Sequence, residues 1–134
     1  MKTKVWAHRG ASACAPENTL EAFRLAAEMG ADGVELDVQL SRDGELVVAH
    51  DETIDRVSNG TGYIKDYTLA QLKELSFNRL FPAFKDARIP TLKEVYELLK
   101  PGGLTVNVEL KTGIILYPEI EEKVLALTAS MGME

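Results

Sequence analysis

Apolar and polar positions along the chain predict strands and helices in alternation. Lys4 to His8 reads as a first strand, followed by a loop over Arg9 to Glu17. A helix is expected from Asn18, where Glu21 three residues on completes a reciprocal capping pair. Leu20, Phe23, Leu25, Ala26, Ala27 and Met29 give that helix a broad apolar face, and Gly30 suits its end. Gly33 to Leu40 reads as a second strand. Ser41-Arg42-Asp43-Gly44 is then a tight turn and Glu45 to His50 a further extended run. A parallel crossover needs about a dozen residues or more, so these two runs form an antiparallel hairpin that prolongs the second strand. The segment Asp51 to Tyr67 is rich in turn residues. Two helices follow it, opened by the capping boxes Thr68 with Gln71 and Thr91 with Glu94. Pro101-Gly102-Gly103 ends the latter, Leu104 to Lys111 is a third main strand, and Pro118 to Met131 a final helix. With no internal repeat, low-complexity stretch or linker, residues 1–134 read as a single α/β domain built on a parallel sheet covered by helices.

The strand faces change this picture. Side chains alternate across a strand, so Val34, Leu36, Val38 and Leu40 share one face of the second strand and Glu35, Asp37 and Gln39 the other. In the third, Val106, Val108 and Leu110 oppose Asn107, Glu109 and Lys111. Strands of a covered parallel sheet are normally apolar on both faces; here each carries ionisable groups on one. If the two strands are neighbours, Glu35, Asp37 and Glu109 crowd together and repel one another. A hard divalent cation resolves that conflict, and an all-oxygen ligand set favours Mg²⁺ or Ca²⁺ over zinc. The alternative is that this face is simply solvated. Lys111 is then either an ion-pair partner of Glu109 or a point charge aimed at a substrate phosphate.

The two histidines, His8 and His50, both stand at predicted strand ends. If the hairpin folds about Asp43-Gly44, His50 lies across from about Asp37, beside the acidic cluster. Two imidazoles near neutral pH suit the base and acid that phosphodiester cleavage requires. Arg9 either binds phosphate through its planar fork or pairs with a carboxylate. Glu17 is either a further polar wall of the site or an acid favoured by the helix dipole. Asn59-Gly60-Thr61-Gly62 completes no nucleotide-binding pattern and reads as turn chemistry.

Bulk properties add limits. At 46% hydrophobic and 27% charged the 134-residue chain is globular rather than disordered. Its net charge of −6 argues against a nucleic-acid partner, which needs a basic stripe, and leaves a small anionic substrate open. Cys14 is alone, so no intramolecular disulfide forms. Neither a signal-peptide stretch nor an apolar run of membrane-spanning length is present, and a cytoplasmic location is expected.

In order and at similar spacing, His8-Arg9-Gly10, Pro16-Glu17-Asn18-Thr19, Glu35-Leu36-Asp37-Val38, Asp43-Gly44 through Val47-Val48-Ala49-His50-Asp51, Asn59-Gly60-Thr61-Gly62, Ile89-Pro90-Thr91-Leu92 and Glu109-Leu110-Lys111 resemble the glycerophosphodiester phosphodiesterases. The resemblance implies the N-terminal portion of a TIM barrel: three main parallel strands plus the hairpin extension. It implies Glu35, Asp37 and Glu109 as metal ligands, His8 and His50 as acid and base, and Arg9 and Lys111 as phosphate contacts. The implied reaction is hydrolysis of a glycerophosphodiester to glycerol 3-phosphate and an alcohol, through a cyclic phosphate formed by the neighbouring glycerol hydroxyl. A complete barrel needs about 200 residues or more. The expectation is therefore that further chain, or self-association, closes the sheet; the competing reading is a non-catalytic module that binds metal and phosphate ester.

Overall fold

The computed structural model describes residues 2–134. Its elements are β1 (Trp6–His8), α1 (Leu20–Glu28), β2 (Gly33–Leu40), β3 (Leu46–Val48), α2 (Leu69–Lys73), α3 (Leu92–Leu99), β4 (Thr105–Leu110) and α4 (Ile120–Ser130). β2 is the hub of the sheet. It pairs in parallel with β1, His8 standing opposite Glu35, and in parallel with β4, Asp37 standing opposite Glu109. β3 runs antiparallel to its end, with Val38 opposite Val48. Backbone carbonyls show how β1 and β3 share one edge of β2. Those of Glu35 and Asp37 point the same way and accept from the Arg9 and Ala49 amides, while that of Val38 points to β4 and accepts from Lys111. The loop after β1 and the chain after β3 therefore meet on that edge.

The apolar face of β2 builds the main core. Val34, Leu36, Val38 and Leu40 pack with Phe23 and Ala26 of α1, Leu92, Val95, Tyr96 and Leu99 of α3, and Ile120 of α4. Burying each such side chain contributes roughly 1.5–3 kcal/mol, so this layer fixes which way Glu35 and Asp37 must point. β3 is covered on both sides. Leu46 and Val48 join the main core, while Val47 and Ala49 join Ile54, Ile64, Leu72, Phe77 and Ile89 in a second cluster under the segment 51–90.

Among the differences from the sequence reading, three have a clear physical cause. β1 starts at Trp6 rather than Lys4, because the Val5 amide donates to the Asp32 carboxylate at 2.8 Å instead of joining the ladder. The N-cap of α1 is Thr19, not Asn18: the Thr19 hydroxyl accepts from the Ala22 amide, whereas Asn18 sits at φ 56° and points its carboxamide at Asp37. An N-cap needs extended backbone, which Thr19 supplies and a left-handed residue does not. Third, Ala49, not His50, stands across from Asp37, donating its amide to the Asp37 carbonyl at 3.0 Å. The capping boxes at Thr68 and Thr91 are both formed.

Gly10 ties the loop after β1 to α1. Its φ is 77°, and a Cβ there would stand 2.8 Å from the backbone carbon of Ala22. Gly10→Ala combines left-handed strain with overpacking and should destabilise the fold by about 2 kcal/mol or more. Thermal denaturation followed by circular dichroism measures it; an unchanged midpoint would contradict the close approach.

Candidate active site

Because β2 and β4 are in register and their apolar faces are committed to the helices, Glu35, Asp37 and Glu109 emerge on one side of the sheet. Each offers an oxygen, and these lie within 4.8 Å of one another. Asp37 is fully buried. Its Oδ2 accepts from the Asn18 amide at 3.0 Å, but its Oδ1 and both oxygens of Glu35 are buried with no hydrogen-bond donor. Buried carboxylate oxygens without donors are costly unless a cation meets them. Burial, then the neighbouring Asp37 charge, pushes Glu35 up to about 7. Burial likewise raises Asp37, although the Asn18 hydrogen bond opposes it, while contacts with Asp37 and Lys111 hold exposed Glu109 below the usual carboxylate range. The group fits a hard cation, which would replace the shared protons.

Basic side chains surround the cluster. Lys111 Nζ stands 3.3 Å from Glu109 Oε1 and 3.8 Å from Asp37 Oδ1. Arg9, in the left-handed region at φ 58°, places its Nε 3.8 Å from Asp37 and donates from Nη1 to Glu17 at 3.2 Å. His8 ends β1, largely exposed, with Nε2 3.6 Å from Glu35 Oε2. His50 follows β3; its Nδ1 meets Asp51 Oδ1 at 2.7 Å, and a positive charge on it would favour the Asp37 carboxylate. His8, Arg9 and Lys111 thus each stand within 4 Å of a carboxylate of the cluster, and His50 is near enough for its charge to act on Asp37.

Several participants have roles that the sequence left open or did not show. Glu17 is a wall of the site rather than a first-turn acid, since it precedes the Thr19 cap and pairs with both Arg9 and Arg56. Burial works against its ionisation, but the Arg56 hydrogen bond and the charges of both arginines outweigh it and lower its pKa. Arg56 also binds Asp51 at 2.8 Å. Gln39, fully buried on the polar face of β2, donates to the carbonyls of Ala49, His50 and Asp51 at 3.3, 3.1 and 2.6 Å, and its Oε1 accepts from the Tyr117 hydroxyl at 2.7 Å. The turn carrying His50 is therefore held through its backbone. The period-2 pattern puts Gln39 on the right face but does not reveal this partner. Glu17, Glu35, Asp37, Asp51 and Glu109 face three permanent cations, Arg9, Arg56 and Lys111. With every carboxylate ionised the surplus would be two negative charges, which a divalent ion would match.

Parallel strands that carry an acidic cluster, one imidazole and two basic side chains toward their C-terminal ends, with a second imidazole supplied just after the antiparallel β3, define an α/β protein with a candidate catalytic site. The chain belongs to the glycerophosphoryl diester phosphodiesterase family, whose pattern it matches over residues 8–129. It is 56% identical over its whole length to a glycerophosphodiester phosphodiesterase of Caldanaerobacter subterraneus, covering 56% of that protein. A crystal structure of a glycerophosphodiester phosphodiesterase from Agrobacterium tumefaciens superposes with a TM-score of 0.89 at 42% identity, over 98% of this chain and 55% of that one. A phosphodiesterase of Oleispira antarctica, solved in complex with the product sn-glycerol-3-phosphate, superposes with a TM-score of 0.84 at 37% identity, over 98% of this chain and 52% of that one. The chain spans about half the length of these relatives. Among the described residues no helix is long and apolar enough to cross a membrane.

Proposed function

We propose that the protein is a metal-dependent glycerophosphodiester phosphodiesterase, and that its sheet is the N-terminal portion of a TIM barrel whose other strands close it. The observation that carries this reading is the Asp37–Glu109 register, which sets three carboxylates together while Glu35 and Asp37 keep donor-free buried oxygens. Glu35, Asp37 and Glu109 would hold Mg²⁺ or Ca²⁺, which when bound supplies positive charge for the phosphate oxygens and lowers the pKa of a hydroxyl nearby. Arg9 offers a planar fork and Lys111 a point charge to the phosphate. One imidazole removes the proton of the attacking hydroxyl and the other donates to the departing alcohol oxygen. The product bound by the Oleispira antarctica relative supports glycerol 3-phosphate as the product here.

Incubation of the whole protein with a glycerophosphodiester and Mg²⁺ or Ca²⁺ should release glycerol 3-phosphate, and chelation should stop it. A folded protein that releases none with either ion would sink the reading.

The carboxylate cluster also sets a pH dependence. Glu35 titrates at about 7 in the folded state against 4.5 in its absence of perturbation. Its contribution to metal-free stability is thus present below the unfolded value and lost as pH rises through about 7. A cation removes that loss. The rise in Tm on adding saturating Mg²⁺ or Ca²⁺ should therefore be larger at pH 8 than at pH 5; a larger rise at pH 5 contradicts the assignment.

A further inference from the structure

We infer that Arg56 is a positioning residue for His50, acting through Asp51; this rests on the reading of His50 as an acid or base. Arg56 Nε and Nη2 donate to Asp51 Oδ2 and Oδ1 at 2.8 and 3.3 Å, and Nη1 and Nη2 to Glu17 Oε1 and Oε2 at 2.7 and 3.0 Å. Four contacts from one rigid, always-charged plane fix both carboxylates in orientation. Glu17 is the anchor, its side chain only 11% exposed and its Oε2 also accepting from Arg9 Nη1 at 3.2 Å. Asp51 is the transmitter. Asp51 is ionised, its pKa lowered by the Arg56 hydrogen bond against burial, hence an acceptor only, and the two-point Arg56 contact sets the orientation in which Oδ1 meets His50. At 2.7 Å from it, His50 Nδ1 must carry a proton, which leaves Nε2 as the nitrogen offered to the substrate.

The linkage joins distant segments. Glu17 lies in the loop that follows His8, and Arg56 lies 39 residues further on, in the segment that follows His50. The guanidinium therefore ties together the two loops that carry the imidazoles. A mere loop staple would stabilise the same segments but would not select a tautomer or act through His50.

A double-mutant cycle on the whole metal-loaded protein separates these roles. Arg56→Met should lower kcat for a glycerophosphodiester by about 100-fold with KM little changed, the scale of a misplaced catalytic group. In a His50→Ala background the same substitution should change kcat by less than about 3-fold, because the residue through which it acts is gone. Asp51→Asn should show the same non-additivity, which keeps the test open if Arg56→Met does not fold. Equal losses in both backgrounds would overturn the inference. Independently of turnover, ¹⁵N NMR of the His50 ring at alkaline pH should show the Nδ1–H tautomer in the native protein and its loss in Arg56→Met. An Nε2–H tautomer in the native protein, or no change in the variant, would overturn it too. Absence of native turnover would sink the hydrolase reading while the NMR arm still decides the linkage; native turnover with an additive cycle sinks only the linkage.

Discussion

Asp37→Asn should lower kcat by at least about 1000-fold, beyond the 10- to 100-fold that follows loss of a group that only orients a metal ligand. It should also abolish stabilisation by Mg²⁺ or Ca²⁺. The same substitution should leave the metal-free fold at pH 8 at least as stable as the native one. Asp37 is the central carboxylate of the three, fully buried, in register with Glu109 and on the same face as Glu35. An amide keeps an oxygen that can accept from Asn18 and substitutes donors for charge toward the neighbouring carboxylates, so it relieves the like-charge repulsion that helps raise Glu35. At pH 5 the gain should disappear, since Glu35 then keeps its proton in the native protein. Melting curves without cation at the two pH values, beside a cation titration, test all three statements. A variant that is catalytically dead but clearly less stable than native at pH 8 would mean that the cluster is not strained by its own charge.

The parts of this site that follow period-2 alternation were legible in the sequence. β2 spans Gly33–Leu40 as its pattern predicts, and the placement of Glu35 and Asp37 opposite an apolar face needed no structure. The Asp43-Gly44 turn made β3 antiparallel on loop length alone, since too few residues were available for a crossover. What stayed hidden depends on contacts between segments with no shared period. The pairing of Glu17 with Arg56 is one, and the clasp of Gln39 on three successive carbonyls is another. The second core is a third: Ile54, Ile64, Leu72, Phe77 and Ile89 are scattered through turns, and only the covered second face of β3 brings them together. Asn18 misled for a physical reason. Asparagine is both a strong N-cap and one of the few residues tolerant of left-handed backbone, and here the second property prevails because Asp37 needs its amide.

His8→Ala and His50→Ala should each lower kcat by about 10²- to 10⁴-fold, the range that a positioned acid or base contributes, while cation-induced stabilisation survives in both. Neither imidazole belongs to the carboxylate trio, so loss of turnover and loss of cation binding must separate here, as they do not at Asp37. The two variants should also differ from one another. His8 is 66% exposed with Nε2 toward Glu35, whereas His50 is 32% exposed and tied through Nδ1 to Asp51, so the environments are not interchangeable. A diester with a nitrophenolate leaving group needs little protonation of the departing oxygen. On that substrate the variant lacking the general acid should recover most of its rate, and the variant lacking the base should not. Comparing each variant on an alkyl and a nitrophenyl diester thus assigns the roles. If both substitutions cost less than about 10-fold on the alkyl substrate, far below the acid–base range, the proton carriers lie elsewhere than these strand ends.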